Sequence, residues 1–171
     1  PKIKNRSRIH YLNANIEASK MSGENNWALL LDQDGFISEG TGDNFLIVKD
    51  GAVISPEPRN ILRGISLEYV KQELCPQLGI PFFERNIEPY DVYTADEAFM
   101  TGTPFCMLPV TSLNSLPIGT GGVGPIYSSL LSQWSKNVGV DIPSQIITWN
   151  NRDTSGDTST SAPTPYRFKT K

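Results

Sequence analysis

The sequence predicts an α+β fold, and three observations carry that prediction. Apolar runs of strand length follow one another from Trp27 to Ile54, separated only by turn-length polar stretches such as Asp32-Gln33-Asp34-Gly35 and Asp50-Gly51. Elsewhere apolar residues recur at helical spacing, as in Leu67, Val70, Leu74 and Leu78. Most strands are joined by short turns and not each by a helix, which separates this pattern from a doubly wound parallel sheet. A chain of 171 residues with 38% hydrophobic residues can fill one real core.

The elements follow in order. Arg8 to Met21 spaces Ile9, Leu12, Ile16 and Met21 as a helix, which Ser22-Gly23 ends. Trp27 to Leu31 is a continuous apolar run and reads as a buried strand. After the turn at Asp32–Gly35 come strands over Phe36–Glu39, Asn44–Lys49 and Ala52–Ile54, the last two joined by the strong hairpin signal Asp50-Gly51. The helix carrying Leu67 to Leu78 stops at Gly79, and Pro76 makes its last turn irregular. Strands are then expected over Ile80–Ile87, Glu97–Gly102 and Cys106–Leu113. Gly121-Gly122-Val123-Gly124-Pro125 leads into a last helix with Ile126, Leu130, Leu131 and Trp134 on its apolar face. From about Asn150 the composition turns to Thr, Ser, Asp and Pro, so residues 1–149 read as the folded domain and 150–171 as a disordered tail.

Bulk properties exclude several function classes. A net charge of −3, a pI near 5.2 and 15 scattered Lys and Arg residues give no electrostatic case for nucleic acid. No apolar run reaches membrane-helix length. Two cysteines and one histidine argue against a disulfide framework or a zinc centre. A reducing, cytoplasmic setting is the expectation.

The most informative stretch is Ile37-Ser38-Glu39-Gly40-Thr41-Gly42-Asp43-Asn44-Phe45. It places a carboxylate where one strand ends, two glycines around the bend, and Asn44 at the start of the next strand. Glu39 there can face a pocket while the glycines let backbone approach a ligand closely; a solvated hairpin residue is the plain alternative. Leu62-Arg63-Gly64-Ile65-Ser66 and Met100-Thr101-Gly102-Thr103 follow, with Pro109-Val110 soon after. In this order and at these distances the motifs resemble the class IV, fold-type IV aminotransferases that use pyridoxal 5′-phosphate, and the branched-chain members most closely. The resemblance covers roughly Lys4 to Val138.

The resemblance implies a mixed sheet or pseudo-barrel with flanking helices, and it implies roles. Glu39 matches the carboxylate that keeps the pyridine nitrogen protonated. Gly64, Ile65 and Ser66 match the phosphate-binding start of a helix, where first-turn N–H groups and the dipole favour an anion; Gly102 and Thr103 match the second half of that clamp. Tyr11 matches a tyrosine on the cofactor's phenolic oxygen, with core packing as its alternative. The Schiff-base lysine falls near Lys4. Counting back from Asp32 places it at Asn5, one residue away, whereas matching Tyr11-Leu12 places it on Arg6 or Ser7 and leaves no catalytic lysine. Lys4 is the assignment on the first register, and Lys2 shares its strand face. Pro104 departs from the family by offering no N–H to a substrate carboxylate.

The implied activity is transfer of an amino group between an amino acid and a 2-oxo acid, by a full-length homodimer without membrane or nucleic-acid partners. A same-family lyase resembling aminodeoxychorismate lyase, or a degenerate cofactor fold without the lysine, are the alternatives. The abrupt start at Pro1-Lys2-Ile3-Lys4, already strand-like, leads us to expect only the large C-terminal domain of that fold, without the smaller domain that precedes it in the family.

Overall fold

The computed structural model describes Lys4 and residues 7–154, with side chains as far as Thr148. It divides into one unit up to Trp134 and another from Ser135 onward. Of the tail expected over 150–171, residues 150–154 are helical instead, and the remainder lies outside the described residues.

The first unit opens with helix α1 (Ile9–Ala18) and then builds a seven-stranded sheet. Its strands are β1 (Leu29–Leu31), β2 (Ile37–Gly40), β3 (Asn44–Lys49), β4 (Ala52–Ser55), β5 (Phe82–Glu84), β6 (Glu97–Gly102) and β7 (Cys106–Val110). β3 is the spine. One edge pairs antiparallel with β6 along its length, from Asn44 opposite Thr101 to Val48 opposite Glu97. The other edge is shared: β2 pairs at its start, through Glu39 opposite Asn44, and β4 at its end, through Ile47–Lys49. A strand covered on both faces loses its polar alternation. Accordingly Phe45, Leu46, Ile47 and Val48 are all buried, each contributing about 1.5–3 kcal/mol. Asp50 and Gly51 both take positive φ at the β3–β4 hairpin, the conformation a tight primed turn requires.

The second helical segment is one continuous stretch: α2 (Ile65–Tyr69), a π turn (Val70–Leu74) and α3 (Cys75–Leu78). Proline lacks an N–H and its ring presses on the carbonyl four residues back. The wider turn immediately before Pro76 relieves both, so the irregularity lies one turn earlier than the sequence suggests. Leu67, Val70, Leu74 and Cys75 are its buried face, and Gly79 closes it in the left-handed conformation. Helix α4 (Pro89–Tyr93) has a capping box between Glu88 and Asp91, and a two-stranded ribbon β8 (Ser112–Leu113) and β9 (Leu116–Pro117) precedes α5 (Pro125–Val138). Glu97 is buried but satisfied: its carboxylate accepts from Ile126 N and Tyr127 N, both at 2.8 Å, at the start of α5.

Several expectations need correction. The run Trp27–Leu31 forms only a three-residue edge strand, with Trp27 49% and Leu31 52% exposed, because β1 has a partner on one side only. The strand expected over Ile80–Ile87 shrinks to Phe82–Glu84, since its parallel pairing reaches only Val53–Ser55 of β4. On α5 it is Tyr127, Leu130 and Trp134 that are buried; Ile126 is only half-buried.

In the second unit, Gly139 ends α5 with positive φ, and α6 (Ile142–Thr154) begins behind Asp141. The Asp141 carboxylate accepts from Ser144 Oγ at 2.7 Å and Ser144 N at 3.1 Å, which holds its pKa below the usual carboxylate range.

Candidate functional site

The bend between β2 and β3 organises the site. Gly40 N donates to Asp43 O at 3.0 Å, closing a tight turn that leaves Glu39 facing Asn44 across the two strands. Glu39 is 5% exposed and accepts three hydrogen bonds. Leu62 N donates to Oε2 at 2.8 Å, the Tyr11 hydroxyl to Oε1 at 3.1 Å, and Asn44 Nδ2 to Oε2 at a longer 3.4 Å. Burial pushes its carboxyl above the usual range, while the Leu62 amide, the Tyr11 hydroxyl and the Arg8 charge pull it partly back. The hydroxyl of Tyr11 is raised as well, first by burial and then by the Glu39 charge, so the proton stays on the tyrosine. The solvated-hairpin alternative for Glu39 is thereby excluded.

Asp43 is a second buried carboxylate on the same bend, 7% exposed, and among the described residues neither of its oxygens has a hydrogen-bond partner. Burial, and secondarily the negative charge of Glu39, push its carboxyl up to about 6; the nearby Gly42 amide offsets this only in part. It lies against Gly40, where any side chain would run into its carboxylate. That packing explains the glycine after Glu39 better than any ligand requirement does.

The loop that brings Leu62 to Glu39 is tied down through Asn60. Its side chain donates to Asp32 Oδ2 at 2.8 Å, and its carbonyl accepts from Ser38 Oγ at 2.9 Å. From this loop the chain enters α2 at Gly64, whose extended φ of −73° and ψ of 143° set it up as the N-cap. The first intrahelical bond runs from Glu68 N to Gly64 O at 3.0 Å, so the amides ahead of Glu68 have no partner inside the helix. Ser66 is buried beside them and Ile65 is exposed.

Thr101 lies opposite Asn44, so Gly102 and Thr103 emerge at the same end of the sheet as the Glu39–Asn44 bend. Gly102 is buried under the Phe105 ring, and Thr103 is exposed in the turn that follows. Tyr11, Glu39, Gly64, Ser66 and Gly102 are thus gathered at one sheet end. Lys4 is exposed and, among the described residues, makes no hydrogen bond or ion pair with Glu39 or Tyr11. Its immediate neighbours Asn5 and Arg6 lie outside the described residues.

Sequence reasoning passed over Asn44, Leu62 and Asn60. Leu62 acts through its backbone, for which a side chain carries no signal. Asn44 had one, as the polar residue opening an otherwise apolar strand.

This donor set fits pyridoxal phosphate on its own chemistry. A buried carboxylate whose ionisation is opposed by burial gains from a cationic ring N–H, and helix-start amides without an intrahelical partner suit a phosphate.

Residues 1–113 match the family model described as amino-transferase class IV. A probable branched-chain-amino-acid aminotransferase of Aquifex aeolicus is 38% identical over 123 residues, covering 70% of this chain and 39% of that protein. The branched-chain-amino-acid aminotransferase of Pseudomonas aeruginosa is 35% identical over 121 residues, covering 70% and 39%. Among solved structures, the holo branched-chain amino acid aminotransferase of Thermobaculum terrenum superposes with a TM-score of 0.74 at 28% identity, covering 84% of this chain and 47% of its own. The branched-chain amino acid aminotransferase from Escherichia coli gives 0.64 at 33% identity, covering 70% and 41%. The chain therefore spans about two fifths of the length of these curated relatives. With the match extending over 113 of 171 residues, on the part of the chain that carries the Glu39 bend and the Gly64 turn, the chain belongs to the class IV aminotransferase family.

Proposed function

We propose that the protein transfers an amino group between an amino acid and a 2-oxo acid, with branched-chain amino acids as the substrate class and pyridoxal 5′-phosphate as cofactor. The observation that carries this reading is Glu39: a carboxylate buried in a strand, held by the Leu62 amide and the Tyr11 hydroxyl, at the sheet end where Gly64 opens a helix. When bound, the cofactor supplies an electron sink for the carbanion formed at the substrate α-carbon. Glu39 would hold the proton on the ring nitrogen. Tyr11 would turn its hydroxyl from Glu39 to the phenolic oxygen. The amides after Gly64, with Ser66 and Thr103, would bind the phosphate. Lys4 would carry the proton to and from the substrate as acid and base. The branched-chain assignment is supported by the names of the relatives.

We further infer a homodimeric assembly and a cytoplasmic setting. The apolar face of α1, with Ile9 70% and Leu12 57% exposed, supports the first. The free thiols of Cys75 and Cys106 are in keeping with the second. Among the described residues no helix is long and apolar enough to cross a membrane.

The test uses the full-length protein loaded with pyridoxal phosphate. Borohydride should fix the cofactor covalently, and peptide mapping should place it on Lys4. Glu39→Gln should keep the fold and lower turnover by on the order of 100-fold or more, because a charge-assisted hydrogen bond at the reacting ring is lost. Bound cofactor without any covalent label would favour a cofactor-binding protein without turnover, a reading to which the exposed Lys4 lends weight. Near-normal activity of Glu39→Gln would remove Glu39 from the chemistry.

A further inference from the structure

Asn44 joins the two places where the cofactor of the proposed reaction would be gripped. It is buried, opens β3, and stands directly across from Glu39. Its Nδ2 donates to Leu62 O at 2.7 Å and makes the longer 3.4 Å contact with Glu39 Oε2. Leu62 N closes the ring on that same carboxylate oxygen at 2.8 Å. The other end of the amide serves the helix: Oδ1 fills the space where a side chain on Gly64 would begin, and Gly64 is the N-cap of α2. One side chain therefore touches the carboxylate, the loop behind it and the residue that opens the helix.

We propose that Asn44 is a positioning residue, a strut that sets the spacing between Glu39 and the amides at the start of α2. A ligand carrying both a ring nitrogen and a phosphate then meets both at once. This rests on the reading that pyridoxal phosphate occupies the site. A strut has its own signature. A ligand that reaches two anchors makes its second contact at an effective concentration fixed by their separation, and it profits from anchors that are already in place. A ligand that reaches one anchor gains nothing from that separation. Loss of the strut weakens the first kind and spares the second, whereas loss of general fold support weakens both.

The experiment measures affinities of the full-length protein for pyridoxal phosphate, for pyridoxal and for inorganic phosphate by titration calorimetry, in wild type, Asn44→Ala and Gly64→Ala. Gly64→Ala pushes on the same amide from the helix side, and its φ of −73° accommodates alanine, so it covers the case in which Asn44→Ala does not fold. Both variants should lose about 10-fold or more in affinity for pyridoxal phosphate, while Asn44→Ala should stay within about 3-fold of wild type for inorganic phosphate and Gly64→Ala within about 3-fold for pyridoxal, the probe whose anchor each leaves untouched. An equal loss for all three probes, or no loss for pyridoxal phosphate, would overturn the strut while leaving the cofactor reading intact. A wild-type protein that does not bind pyridoxal phosphate would overturn both.

Discussion

Two buried carboxylates four residues apart, Glu39 and Asp43, meet opposite fates on one bend. Among the described residues Glu39 has three donors, and Asp43 has none. The difference is worth free energy that depends on pH. The carboxyl of Asp43 is raised from 3.8 to about 6 in the folded chain. Between those values the folded state holds a proton that the unfolded state has released, so stability falls as pH rises through that window and stays low above it. The shift corresponds to a loss on the order of 2–3 kcal/mol at neutral pH. Asp43→Asn, which cannot ionise, should therefore stabilise the protein at pH 7.5, by about 1–3 kcal/mol in urea unfolding, and the gain should vanish towards pH 4. A variant less stable than wild type at pH 7.5 would mean that the carboxylate has an ionic partner. At this scale the sequence was informative where a side chain acts and silent where backbone acts. Glu39 and Ser66, which carry polar side chains, could be singled out from their motifs as candidates. The Leu62 amide could not, because any residue there supplies the same N–H. The packing of Asp43 against Gly40 was hidden too, since it depends on a contact across the turn.

Among the elements, the best anticipated were those with their own stop signals. The Asp50-Gly51 hairpin and strand Glu97–Gly102 stand where expected, and Gly79 ends its helix with φ of 64°. A side chain there would have open space around it, so the cost of Gly79→Ala is backbone strain alone. That substitution should destabilise by about 1 kcal/mol, seen as a lowered thermal midpoint with unchanged cofactor affinity, because Gly79 lies at the opposite end of the helical segment from Gly64. A larger loss accompanied by weaker cofactor binding would show that the π turn transmits strain along the segment. The poorly anticipated elements are edge strands. An apolar run such as Trp27–Leu31 looks the same whether one or both edges are paired, and only the sheet order decides how much of it is buried. The expected extent of the strand after Gly79 failed for the same reason, since its length is set by β4 rather than by its own residues.

For the molecule as a whole, the outstanding feature is what α1 leaves uncovered. It reaches the site through Tyr11, and through Asn15, whose Oδ1 accepts from Thr41 Oγ1 at 3.0 Å. Yet none of its residues is buried. Ile9, Leu12 and Ile16 are 70%, 57% and 45% exposed, although their spacing is that of a helix with one apolar side. A helix of ten residues cannot persist in water on propensity alone and needs packing on that side. The 171-residue chain should accordingly self-associate at micromolar concentration, shifting in sedimentation velocity from monomer to dimer as concentration rises. Replacing Leu12 and Ile16 with Ser should suppress that shift and leave the sheet intact, since neither side chain belongs to the core. The same change should loosen pyridoxal phosphate binding several-fold, because Tyr11 and Asn15 lie on the helix that the association would steady. If the double variant still dimerises, the surface responsible lies elsewhere. If it becomes monomeric with cofactor affinity unchanged, α1 is steady without a partner, and the link between assembly and site falls.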